Sequence, residues 1–258
     1  MEPIRLNKFL AERLGLSRRE ADNAIAAGKV TVDGKTAVLG SRIDKNSKVC
    51  YNKDIVPFAT EYTYIAFNKP VGYVCSRRAQ GPAPTLYDLL PSEFQKLKTV
   101  GRLDKDSSGL ILLTNDGDFA FQMTHPKFHK EKVYEVELDH PLEPLHQQMI
   151  SDFGIMLDDG PSKFTVIRED KNLFSEVFRS AAAREIAPSA RGDGPDGRGL
   201  KKNGSCPSYT VILSEGRNRQ IRRTFAALGY EVTKLHRIQF GKFMLSGLKS
   251  GKYVIIKP

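Results

Sequence analysis

The sequence predicts an α+β protein with a small helix-helix-strand domain at its N-terminus and a larger domain of alternating strands and helices behind it. Three observations support this. Two apolar patterns of helical period come first and run into short β-branched segments around an Asp-Gly pair. A Pro-containing stretch of mixed polarity follows, and beyond it strand-length apolar runs recur between turn residues. With 258 residues and 40% hydrophobic content, the chain can bury one medium core and one small one.

Leu6, Phe9, Leu10 and Leu14 recur at helical spacing, and Gly15 is placed to cap the segment. Ser17-Arg18-Arg19-Glu20 has the spacing of a capping box; Ala21, Ala24 and Ile25 supply the inner face of the second helix, which Gly28 ends. Residues 29–32 and 35–38 read as strands joined by Asp33-Gly34, with a further strand at 48–51. Residues 54–61 read as a linker, which sets the domains at 1–57 and 62–258. In the second domain a strand starts near Tyr62, and residues 85–97 suit a helix broken near Pro91. Residues 116–124 suit a helix, and 132–138 alternate as a half-buried strand with Tyr134 on the face of Lys132, Val136 and Leu138. Residues 180–206, rich in Ala, Gly and Pro, read as a flexible insert of net charge +2. A strand at 207–213 then leads to a helix capped by Asn218, closed by Gly229 and carrying Arg219, Arg222 and Arg223 on one side.

The formal charge of +10 is concentrated at the two ends. Residues 1–57 hold 11 Lys and Arg against 7 Asp and Glu, and residues 215–258 hold 10 against 2, so the middle is near −2. Such polarity fits a protein that grips a polyanion from two sides, and a nucleic acid is the expected partner class. No run approaches the ~18 apolar residues of a membrane span. Met1-Glu2-Pro3-Ile4-Arg5 lacks the apolar core of a signal peptide, so a cytoplasmic location without membrane contact is expected. Cys50, Cys75 and Cys206 are far apart and form no Cys-x-x-Cys, which argues against a disulfide framework or a zinc site.

Residues 101–110, Gly-Arg-Leu-Asp-Lys-Asp-Ser-Ser-Gly-Leu, precede the apolar Ile111-Leu112-Leu113 and the turn-like Asn115-Asp116-Gly117. This reads as loop, core strand, turn, and it holds polar residues at the mouth of a rigid element. By chemistry alone, a capped turn with solvated carboxylates is the favoured reading. A calcium loop fits Asp104, Asp106 and Ser108 but fails at its twelfth place, Asn115, where a bidentate Glu is needed. Pro126 breaks the helix that would align His125 and His129, so no metal site is expected.

Gly101-Arg102-Leu103-Asp104 with Ser107-Ser108-Gly109-Leu110-Ile111-Leu112-Leu113-Thr114-Asn115-Asp116-Gly117 resembles the catalytic motif of bacterial ribosomal RNA pseudouridine synthases. The branch resembled is the one with an N-terminal RNA-binding domain like that of ribosomal protein S4. Lys132-x-Tyr134-x-Val136 is similar to its second motif, and Glu215-Gly216-Arg217-x-Arg219-Gln220-Ile221-Arg222-Arg223 to its third. The resemblance implies an S4-like domain followed by a mixed, mainly antiparallel sheet flanked by helices. It implies Asp104 as nucleophile, Tyr134 stacked on the target base and Arg222 paired with Asp104. Asp106 is then solvated support, and Lys69-Pro70 only a turn. Arg5, Lys8, Arg18 and Arg19 on the small domain, with Arg102, Arg217, Arg219 and Arg223, are the RNA-binding candidates. No cofactor is implied. The expected protein is a monomer acting on ribosomal RNA or a pre-ribosomal particle, more in the large subunit than the small. A non-catalytic RNA-binding assembly factor is the rival reading.

Overall fold

A computed structural model describes residues 3–58, 61–77, 81–168 and 207–258. The insert at 180–206, with Cys206, lies outside the described residues.

The N-terminal domain starts with a two-residue strand, β1 (Ile4–Arg5), then α1 (Leu6–Arg13) and α2 (Arg18–Ala26). Both halves of the capping box form: the Glu20 amide donates to Ser17 Oγ at 3.1 Å, and the Ser17 amide to Glu20 Oε2 at 2.7 Å. β2 (Val30–Val32) and β3 (Lys35–Thr36) are joined by Asp33 and Gly34 at φ 50° and 80°, the two left-handed residues that a tight hairpin requires. β4 (Arg42–Ile43) pairs with β1, and β5 (Val49–Tyr51) with β2. The linker reading is corrected at its start. Asn52 and Lys53, at φ 49° and 75°, turn the chain back so that Asp54–Ile55 forms β6 on β5. Val56 is buried, and the Phe58 ring sits 4.5 Å from that of Phe9, so these residues close the first core.

The second domain is built on one sheet. Its strands are β7 (Tyr64–Lys69), β8 (Lys98–Val100), β9 (Ser108–Thr114), β10 (Lys132–Leu138), β13 (Thr165–Arg168), β14 (Ser208–Leu213), β15 (Val232–Phe240), β16 (Phe243–Met244) and β17 (Tyr253–Ile255). The order is β13-β14-β10-β15-β9-β7-β17, with β8 on β9 and β16 on β15. The β15–β9 pair is parallel and the others antiparallel, so the sheet is mixed and mainly antiparallel. α3 (Gly117–Thr124), capped by Asp116, and α4 (Pro144–Gln148) flank the sheet; a hairpin of β11 (Ile155–Leu157) and β12 (Gly160–Ser162) stands beside it. The expected helix over 85–97 is instead two 3-10 turns, Leu86–Leu89 and Ser92–Phe94. Asp88 closes the first turn on the Thr85 amide at 2.8 Å, and Pro91, with no N–H to donate, starts the second.

The parallel contact decides where the central loop lies. Gly109 (φ 107°) sits against the backbone of Arg237, where an added Cβ would come within 2.3 Å of the carbonyl oxygen and 2.5 Å of the nitrogen. Any side chain there would force β9 and β15 apart. Through this glycine, the loop before β9 is set against the middle of β15, at His236 and Arg237.

Candidate active site

Asp104 is held in a tight loop between β8 and β9. The Ser107 amide donates to the Asp104 carbonyl at 3.1 Å, and Leu103 is buried, so the loop is pinned on both sides of the carboxylate. The Asp104 side chain keeps 34% of its exposure and faces a cavity of about 260 Å³. Tyr134 of β10 lines the same cavity with its ring buried; Arg102, Lys132, Arg219 and Arg237 line it too. Asp104 and Tyr134, 30 positions apart in the chain, therefore share one opening.

The arginines are distributed differently from expectation. The Arg222 guanidinium does not lie on Asp104: Nη2 donates to the Asp106 carbonyl at 2.9 Å, Nη1 donates to the Val232 carbonyl at 2.6 Å, and Nε lies 3.3 Å from Asp106 Oδ2. Arg219 is the arginine nearest Asp104, with Nη1 at 3.7 Å from Oδ2, and it makes a two-pronged pair with Asp106 at 3.0 and 2.9 Å. The reason is local. Helix α5 (Gln220–Ala226 in the structure) starts one residue after Arg219, which takes a left-handed conformation at φ 47° and occupies the cap position expected of Asn218. Its side chain thus leaves the helix face and reaches the β8–β9 loop. Asp106, expected to be solvated, instead receives both arginines. The Arg219 hydrogen bond, followed by the charges of Arg222 and Arg219, holds its carboxyl below the usual carboxylate range against the opposing effect of burial.

The remaining candidates divide between carboxylates and solvent. Arg223 pairs with Asp158 and Asp159 at 2.6 and 2.7 Å; Arg217 binds Asp159 at 2.9 Å and the Pro161 carbonyl at 2.7 Å, so both brace the β11–β12 hairpin. The Lys8 amine sits 2.6 Å from Asp118 at the start of α3 and ties the small domain to the large one. Arg5, Arg18, Arg19 and Arg102 are exposed.

Residues 63–227 match the family described as RNA pseudouridylate synthase, and residues 4–49 match the S4 domain. The chain belongs to the RNA pseudouridylate synthase family. It is 33% identical over 255 residues to the ribosomal small subunit pseudouridine synthase A of Pasteurella multocida, covering 97% of this chain and 94% of that one. It is also 33% identical over 261 residues to the ribosomal large subunit pseudouridine synthase B of Pseudomonas aeruginosa, covering 96% of this chain but 58% of that longer relative. A solved pseudouridylate synthase superposes with a TM-score of 0.62 at 29% identity, over 98% of this chain and 96% of that one. Among the described residues, no helix is long and apolar enough to cross a membrane.

Sequence reasoning gave no role to three buried cations that line or brace this cavity. Lys69, fully buried at the end of β7, donates to the Ser107 carbonyl at 2.7 Å and the Pro70 carbonyl at 3.0 Å, so it holds the Asp104 loop from beneath. Burial pulls its amine below the usual lysine value, partly offset by Cys75, Asp104 and Asp106. Lys132 does the same for the arginine-bearing turn, donating to the carbonyls of Ser214 at 3.3 Å and Glu215 at 3.0 Å. Burial, then the charge of Arg237, pulls its amine down to about 8. Arg237 Nε donates to the Leu110 carbonyl at 2.7 Å. Alternation on β10 had put Lys132 on the buried face, which was the available signal; Lys69 was read only as part of a turn and Arg237 was given no role, because the carbonyls of Ser107 and Leu110 that they hold are 38 and 127 positions away in sequence.

Proposed function

We propose that this synthase converts a uridine of ribosomal RNA to pseudouridine with Asp104 as nucleophile. The observation that carries the reading is the single cavity that gathers the Asp104 carboxylate, the Tyr134 ring and the Arg219 guanidinium. The reaction breaks the bond from ribose C1′ to uracil N1 and forms one from C1′ to C5. The C5 proton leaves and N1 takes one up, with no redox change and no group lost, so side chains suffice. Asp104 holds the intermediate while the uracil turns, and Tyr134 stacks on the flipped base. Arg219 supplies the counter-charge to Asp104, and Arg222 acts through Asp106. Arg5, Arg18, Arg19 and Arg102 hold the RNA backbone. The enzyme works as a monomer in the cytoplasm. Ribosomal RNA as substrate is supported by the names of both relatives.

The Asn218-Arg219-Gln220-Ile221-Arg222-Arg223 wording favours large-subunit RNA. A small-subunit target is the second reading, favoured by the near-complete length match to the Pasteurella multocida enzyme. Incubating the protein separately with unmodified small-subunit and large-subunit ribosomal RNA, followed by pseudouridine mapping, separates them. The expected result is one modified position in the large-subunit RNA with wild type and none with Asp104→Asn. Equal product from both proteins would overturn the role of Asp104.

A further inference from the structure

Arg237 stands where the two proposed catalytic elements meet. On β15 it is in register with Tyr134 of β10 on one side and with Gly109 of β9 on the other, directly behind the Asp104 loop. Its side chain is 2% exposed and lines the cavity. Its guanidinium carbon lies 6.0 Å from the Tyr134 ring centroid and 4.8 Å from that of Phe240. Nε is satisfied by Leu110, but Nη2 has no hydrogen-bond partner among the described residues, nor does the buried hydroxyl of Ser107, which also lines the cavity. Buried donors are almost always paired, and one left unpaired on a residue that lines a cavity is open to an acceptor brought by a ligand.

We propose that Arg237 is a specificity-determining residue that donates through Nη2 to the O4 carbonyl oxygen of the uracil ring stacked on Tyr134. The chemistry follows from what a guanidinium offers: it donates and cannot accept, so it suits a ring carbonyl and opposes the exocyclic amine that cytosine carries at position 4. A site built to bond one polar group rejects an analogue lacking it, because its own donor is then left unpaired. The proposal rests on the cavity being the uridine site.

The test uses the full chain and a short RNA spanning the mapped target, with uridine, 4-thiouridine or 2-thiouridine at that position, since sulfur is a weak acceptor. Wild type is expected to lose about 10-fold in kcat/KM on 4-thiouridine and little on 2-thiouridine. Arg237→Lys, checked for unchanged melting and RNA affinity, is expected to lose about 10- to 100-fold on uridine and to show no further penalty from the same sulfur. A merely structural role would leave that penalty intact in the variant. Should Arg237→Lys fail to fold, Arg237→Gln takes its place in the same comparison. Wild type active on uridine and indifferent to sulfur at position 4 overturns the proposal while the uridine site stands. No product from wild type on unmodified RNA overturns the site and the proposal together.

Discussion

Asp106 is gripped by Arg219 at 2.9 and 3.0 Å and approached by Arg222 at 3.3 Å, whereas Asp104, two residues earlier on the same loop, has its nearest guanidinium at 3.7 Å and opens onto the cavity. The two carboxylates have the same chemistry and nearly the same address. What separates them is how much of each is already used. Asp106 spends its oxygens joining the β8–β9 loop to the start of α5, and so fixes the geometry around its neighbour. Asp104 keeps lone pairs available for an incoming ribose or base. A committed carboxylate beside an uncommitted one gives Asp104, the proposed nucleophile, a rigid support without neutralising it.

The largest expected effect tests that division directly. Asp104→Asn should lower product formation by roughly 10³-fold or more while leaving thermal unfolding in place, as loss of a nucleophile does. Asp106→Asn should act next, lowering kcat/KM by about 10- to 100-fold through misplacement of Arg219 and Arg222. A loss as large as that of Asp104→Asn, measured on the same RNA, would break the comparison.

A smaller contrast sits in the pH dependence of stability. The folded pKa of Asp106 is lowered, so its stabilising contribution is present above the unfolded carboxylate value of ~3.9 and lost as pH falls through the folded value. Chemical denaturation from pH 6 to pH 2.5 should show a flatter acid limb in Asp106→Asn than in wild type. Lys132 behaves oppositely in origin. Its amine, near 8 when folded, is costly to keep charged, so stability should rise with pH between about 8 and the unfolded ~10.4. In Lys132→Met that rise should disappear. The smallest expected effect is at the domain contact, where Lys8→Ala should cost no more than ~1 kcal/mol in denaturant unfolding, because the Asp118 carboxylate on the other side of the pair is 69% exposed.

Much of the architecture was legible from local chemistry. The Ser17–Glu20 box, the Asp33-Gly34 turn, the helix that follows Asp116 and the strand at 132–138 each depend on a few residues, and each formed as read. The β6 strand was missed because its hairpin uses Asn52 and Lys53 without a glycine, and residues 85–97 were misread because apolar spacing does not distinguish a helix from two 3-10 turns.

The sequence alone determined the domain order, the family motifs and the choice of Asp104 and Tyr134 as candidates, since all of these are written in contiguous residues. Tertiary structure decided which arginine faces which carboxylate, because a single left-handed residue at Arg219 redirects a side chain across more than a hundred positions. It also decided that Lys69, Lys132 and Arg237 are buried anchors of the site. Their partners are backbone carbonyls, and a carbonyl is the same at every position of a sequence until folding brings one within reach.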